Sequence, residues 1–281
     1  DDVAYARHMA EAEALWHVLK PVTAAHIAAA PRLRLIQKIG VGVTTIDLEA
    51  ARARGIAVCN MPGTNSRAVA EMALLLMLAA LRRLAALDAA TRAGQGWAAG
   101  PRLQEEYGEI AGRTVGLVGY GAVPRLLAPV LQAMGARVIY TARKAHADAA
   151  GEFRTLAGLL AEADIVSLHV PLVPETANMI DAKALGHMKP GAILVNTARG
   201  GLVDEGDLVE ALISGRLGAA GLDVFVREPV AADNALLTMD NVVLAPHVAW
   251  LTPETFGRSL GVAAENCRRL AKGDALLHRV V

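Results

Sequence analysis

Short apolar runs rich in Val, Ile and Leu recur along the chain with helix-like segments between them: LRLIQKI from Leu33, IAVC from Ile56, TVGLV from Thr114, ARVIY from Ala136, DIVSL from Asp164, AILVN from Ala192, AAGLDV from Ala219 and NVVLA from Asn241. Runs of this length bounded by turn residues read as buried strands. Their alternation with helical segments predicts βαβ units and parallel sheets covered on both faces, an α/β protein. The runs from Thr114 to about Ala245 fit one doubly wound nucleotide-binding sheet, and the residues before Arg82 form a second, smaller unit. Between them the polar, Gly-rich passage TRAGQGWAAGPRLQEEYGEIAGR, from Thr91 to Arg113, has the punctuation of an irregular arm.

The longest apolar run, MALLLMLAAL from Met72 to Leu81, is closed by Glu71 and by Arg82 and Arg83. It falls well short of the ~20 residues a bilayer requires and is expected to be a buried helix. The 28 basic and 28 acidic residues cancel, so no overall field recruits nucleic acid or anionic lipid, and recognition of an anion must be local. Two cysteines, Cys59 and Cys267, make no disulfide framework for 281 residues and fit the reducing cytoplasm. The histidines are scattered without ligand spacing, and no metal site is expected.

Chemistry first shows itself in TVGLVGYGAVPRLLAP. Gly119 and Gly121 directly follow a strand-like run. The first suits a tight turn, and the second lets the backbone approach a pyrophosphate, whose charge meets the free N–H groups of Ala122 and Val123 at the helix start. Pro124 stands where a third glycine is expected, a packing position. Proline is tolerated in the first helical turn, so the phosphate loop is expected to be intact, with the helix held somewhat off the sheet and kinked at Pro129. Near the end of the next strand, where an acid would bind the ribose 2′-hydroxyl of NAD, stand Thr141, Arg143 and Lys144. A guanidinium there suits a 2′-phosphate, so NADP is the expected cofactor, with NAD use possible in principle. The alternative is that Arg143 and Lys144 are a solvated turn.

Three later segments, each following a strand-like run, offer one polar residue in an apolar setting: Arg199 in ILVNTARGGLVD, Glu228 in GLDVFVREP and His247 in VVLAPHVAW. Ligands of open α/β sheets lie outside the carboxyl ends of the strands, which makes the three candidates for one site. Singly, each also reads as a loop cation, a solvated acid or a strand-end histidine.

Taken in order, IQKIGVGVTTIDLEAARARGIAVCNMPGTNSRAVAE, VGYG, SLHVPLVPETANMI, MKPGAILVNTARGGLVDEGDLVEAL, AAGLDVFVREP and NVVLAPHVAW resemble the D-isomer-specific 2-hydroxyacid dehydrogenases almost end to end. The resemblance implies a doubly wound Rossmann domain over 83–252 and a smaller flavodoxin-like substrate domain made of 1–82 and 253–281. It implies hydride transfer between a nicotinamide and a small 2-oxo acid or D-2-hydroxy acid, with glyoxylate or hydroxypyruvate favoured by AWLTPE after His247. His247 would be the acid/base, Glu228 its partner whose charge stabilises an imidazolium, and Arg199 the anchor of the substrate carboxylate. Backbone N–H groups of Val41 and Gly42 would hold the same carboxylate. Asp223 matches a position that binds the nicotinamide carboxamide, and His169, Pro171, Thr197 and Ala198 match positions lining the cofactor cleft. Trp250 either covers the pocket or packs. A homodimer built from the nucleotide domains and the arm is also implied.

The chain departs from the family pattern at Thr44, where an Asp is usual, at Pro124, and in the absent NAD-selecting acid. Two rivals share the fold. One is a nucleotide-sensing corepressor-like binding protein. The other is a phosphite or formate dehydrogenase, of which the formate branch pairs its histidine with glutamine where this chain has Glu228.

Overall fold

A computed structural model describes residues 2–97 and 107–281, the side chains of residues 2–6 aside. Of the arm expected between Thr91 and Arg113, residues 98–106 lie outside the described residues. The chain divides into two compact units, one of residues 1–65 with 251–281 and one of residues 66–250.

The larger unit is built on a parallel sheet whose strands, in chain order, are β4 (Thr114–Val118), β5 (Arg137–Thr141), β6 (Glu152–Phe153), β7 (Ile165–Leu168), β8 (Ala192–Asn196), β9 (Leu217–Leu222) and β10 (Val242–Leu244). They lie in the order β10-β9-β8-β7-β4-β5-β6, with every pairing parallel. This is the doubly wound arrangement, with the chain reversing direction across the sheet at β4. β4, β7 and β8 are buried along their whole length, as the unbroken apolar runs require. The two-residue β6 has no apolar run of its own and is not legible as a strand.

Helix Ala122–Ala133 begins at Gly121 and presents Pro124, Leu127, Ala128 and Leu131 as its buried stripe. Pro124 falls in the first turn, where its missing N–H had no intrahelical acceptor, so the ring packs without costing a bond. The helix continues through Pro129, which is exposed.

The run MALLLMLAAL lies in helix Ser66–Leu81, whose alanines and Met77 are buried against the sheet. A Cβ on Gly221 of β9 would come within 2.9 Å of Leu76 Cβ, so glycine there is what allows the close approach. This packing puts the helix in the larger unit. The units therefore part at 65/66 and 250/251, whereas the sequence division fell at 82/83 and 252/253.

The smaller unit carries a parallel sheet in the order β1-β2-β3, of β1 (Ala14–His17), β2 (Leu35–Lys38) and β3 (Ala57–Cys59). Ile27, Ile36, Ala51, Ile56 and Val58 form its core. Helix Pro253–Lys272, capped by Thr252 and ended by Gly273 at φ 78°, joins this unit through Asn266. The buried amide of Asn266 donates to Gln37 Oε1 at 2.6 Å and to the Leu277 carbonyl. Among the described residues no helix is long and apolar enough to cross a membrane.

Candidate active site

At the carboxyl end of β4 the chain turns at Gly119, φ 98°, where a Cβ would stand 2.8 Å from the His169 carbonyl oxygen. Only glycine fits both that conformation and that contact. Gly121 caps the following helix with no side-chain hydrogen bond, and a Cβ added there meets no protein atom within 4 Å. The first-turn N–H groups at Ala122 and Val123 thus border open space, as an anion site at a helix start needs. After β5, Arg143 and Lys144 are exposed, and neither side chain is engaged in a hydrogen bond or ion pair among the described residues.

The neighbouring strand ends add two orphaned polar atoms. His169 Nε2, after β7, and Thr197 Oγ1, after β8, are buried without a hydrogen-bond partner among the described residues. Burial pushes the His169 imidazole down to about 4, so the ring is neutral at physiological pH. Polar atoms shielded from water and left without a partner are uncommon in a folded chain; His169 stands against the glycine turn, and Thr197 follows the next strand along. The donors, the open space and these atoms together fit a dinucleotide. Pro171 is exposed, its carbonyl accepting from Thr176 Oγ1 at 2.7 Å.

Arg199 stands in the loop after β8, shaped by a residue the sequence reading missed. Buried Asn196 accepts from Ala198 N–H at 3.0 Å and donates from its amide to the Arg199 carbonyl at 2.8 Å, closing the turn over Thr197 and Ala198. Next to it, a Cβ on Gly200 would overlap the Phe225 backbone carbonyl. This contact brings the Arg199 loop against the segment that carries Glu228. Burial pushes the Arg199 guanidinium down and the charge of Glu228 opposes the shift, which places the two within electrostatic reach.

Glu228 Oε1 accepts from Phe225 N–H at 3.0 Å, while Oε2 lies 2.6 Å from His247 Nδ1. One carboxylate oxygen is therefore spent on holding the side chain and the other on the ring. His247, φ 58°, is fixed in turn by Asp223, whose carbonyl accepts from His247 N–H at 2.7 Å. The carboxylate of Asp223 accepts from Val248 N–H at 2.8 Å and from Ala249 N–H at 2.9 Å. Asp223 is fully buried, and burial pushes its carboxyl up against the pull of those two N–H groups. It thus tethers the His247 loop, a role hidden from the sequence because its partners follow some 25 residues later. Trp250 closes the loop by donating from Nε1 to the His247 carbonyl at 3.2 Å.

With Nδ1 bound to a carboxylate, Nε2 is the ring atom left to exchange a proton, and it sits on a half-buried side chain. Arg199, Glu228 and His247 so meet at adjacent strand ends of the larger unit. Val41 and Gly42 belong to the smaller unit, in the loop after β2. There Gly40 has φ 140°, Val41 is exposed, and the Val41 carbonyl accepts from Asn60 Nδ2 at 3.0 Å.

The glycine turn at the switch point of the parallel sheet places the larger unit among the doubly wound nucleotide-binding folds. Residues 74–249 match the family described as D-isomer specific 2-hydroxyacid dehydrogenase, NAD binding domain, and the chain belongs to the D-isomer specific 2-hydroxyacid dehydrogenases. It is 44% identical over 257 residues to D-3-phosphoglycerate dehydrogenase of Mycobacterium leprae (strain TN), covering 90% of this chain and 48% of that protein. It is 41% identical over 275 residues to glyoxylate reductase of Aeropyrum pernix, covering 94% of this chain and 81% of that one. The chain thus spans about half the length of the mycobacterial relative and most of the archaeal one. Among solved structures, the TT0316 protein of Thermus thermophilus superposes with a TM-score of 0.92 at 39% identity, over 100% of this chain and 89% of that chain.

Proposed function

We propose that the protein reduces a small 2-oxo acid to the D-2-hydroxy acid with NADPH in preference to NADH, glyoxylate or hydroxypyruvate being the favoured substrates. The observation that carries this reading is the 2.6 Å contact between His247 Nδ1 and Glu228 beside the Arg199 loop. When bound, the reduced nicotinamide supplies a hydride to C2 of the substrate. As negative charge grows on the carbonyl oxygen, the proton on His247 Nε2 passes to it, and the alcohol forms. Glu228 holds the ring in the tautomer that leaves Nε2 free and balances the imidazolium charge. Arg199 grips the carboxylate through two parallel hydrogen bonds and so orients the carbonyl, and the family resemblance assigns the Val41 and Gly42 N–H groups to the same carboxylate. Ala122 and Val123 hold the pyrophosphate, and the exposed Arg143 and Lys144 support the choice of a 2′-phosphate.

His247→Ala is expected to lower kcat by about 10² to 10⁴-fold with glyoxylate or hydroxypyruvate while NADPH still binds. Turnover that survives this substitution overturns the assignment. A wild-type protein that binds NADPH and reduces none of a panel of 2-oxo acids overturns the reaction itself. The homodimer that the family resemblance implies belongs to the same reading and is measured by light scattering.

A further inference from the structure

The loop from Ala142 to Ala150, which carries Arg143 and Lys144, is fastened from beneath by two buried phenols. Tyr120, between the two glycines of the phosphate turn, and Tyr140, in β5, are almost wholly inaccessible to solvent. Their rings lie 4.3 Å apart between centroids, tilted by 40°. A phenol hydroxyl at such a depth needs a partner, and both find theirs in this loop. Ala150 N–H donates to Tyr120 Oη at 2.7 Å, His146 N–H donates to Tyr140 Oη at 2.7 Å, and Tyr140 Oη donates to the His146 carbonyl at 3.3 Å.

A third fastening is ionic. Arg125, in the helix that follows the glycine turn, pairs with Asp148, reaches His146 Nδ1 at 3.2 Å with its other nitrogen, and lies over the Tyr120 ring at 5.3 Å. Asp148 is the one acid of the loop. Its pairing with Arg125 leaves the positive charges of Arg143 and Lys144 unopposed within that loop. The short stretch from Ala142 to Ala145 remains outside the fastenings, and it contains both cations.

We propose that Tyr120 and Tyr140 are positioning residues for nucleotide selectivity, their hydroxyls holding the loop in the form that presents Arg143 and Lys144 to the 2′-phosphate of an adenine nucleotide. The inference rests on the NADPH reading above. Its physical content is that ordering a loop in advance removes part of the cost of ordering it on binding. The benefit falls on the 2′-phosphate alone, because a nucleotide lacking that group makes no use of the two cations.

The test is calorimetric titration of the full chain with 2′,5′-ADP and with 5′-AMP, which needs no turnover. Tyr140→Phe keeps the ring and removes the hydroxyl. It is expected to weaken 2′,5′-ADP about five- to tenfold, as loss of one or two hydrogen bonds implies, and to leave 5′-AMP unchanged. Arg143→Ala is expected to weaken 2′,5′-ADP likewise, and Tyr140→Phe added to it should cost little more, since both act on one interaction. Should Tyr140→Phe fail to fold, Tyr120→Phe carries the same expectation through the other hydroxyl. Unchanged 2′,5′-ADP affinity in a folded Tyr→Phe variant, with Arg143→Ala impaired, overturns this inference and spares the NADPH reading. Equal weakening of both ligands also overturns it, since the hydroxyl then only supports the fold. A wild type that does not distinguish the two ligands, together with an Arg143→Ala variant that changes nothing, overturns the NADPH reading instead.

Discussion

His169 is held neutral at the end of β7, its Nε2 buried without a partner and its ring pushed down to about 4. Unfolded, the same ring takes a proton near pH ~6.5. Above that value neither state is charged, and the full stability is present. As pH falls toward about 4 the unfolded chain gains a proton that the folded chain refuses, so stability declines, by up to about 3 kcal/mol from this residue. Urea midpoints of the nucleotide-free protein should fall between pH about 7 and about 5, and His169→Asn should flatten part of that slope. His17, also lowered by burial, contributes with the same sign, so the comparison of variant with wild type isolates His169. An unchanged slope in the variant ends the assignment. At this scale Arg199, Glu228 and His247 stood out in the sequence because each is a polar residue in an apolar segment that follows a strand-like run. Asn196 and Gly200 did not: Asn196 closes its own turn through the Ala198 N–H and the Arg199 carbonyl, Gly200 makes room for the Phe225 backbone, and neither role leaves a pattern in the sequence.

Helix Ala122–Ala133 carries a proline at an exposed interior position, Pro129, where the ring removes an N–H that would bond the Arg125 carbonyl. Pro124 differs in lying in the first turn on the buried face. Pro129→Ala therefore restores a hydrogen bond and loses no core contact. Allowing for the greater freedom alanine gives the unfolded chain, it is expected to stabilise the protein by about 1–2 kcal/mol, seen as a higher urea midpoint with unchanged NADPH affinity. A lower midpoint would show that the proline packs in a way its exposure does not reveal. The strands that the hydrophobic pattern revealed were those with several consecutive apolar residues, whereas β6, EF, is too short to announce itself; β1, ALWH, was missed although it is as long as β7. The fastening of the loop after β5 was likewise invisible, since a tyrosine inside a strand reads only as an apolar residue until the chain returns over its hydroxyl.

The two units differ in how the chain builds them. The larger one is a single stretch, Ser66–Trp250, whereas the smaller one needs both ends of the chain. The two large hydrophobic clusters that enclose the seven-stranded sheet are made wholly within that stretch. A fragment of residues 66–250 is therefore expected to fold alone and, on the proposed function, to show a thermal shift with NADPH. Failure to fold would mean that the larger unit depends on the smaller for its stability. The expected boundary fell at Arg82 and Arg83, whereas the compact units part before helix Ser66–Leu81, which turns its alanines toward β8 and β9.

The reversal of winding at β4 sorts the molecule's tasks. On the proposed function, the groups that would read the adenosine end follow β5, on one flank, and those that would handle the reacting carbon follow β8, β9 and β10, on the other. The flanks can accordingly drift apart in evolution, one exchanging the currency of reducing power while the other keeps its chemistry, and the same partition lets a protein engineer retool the nucleotide without disturbing the proton donor.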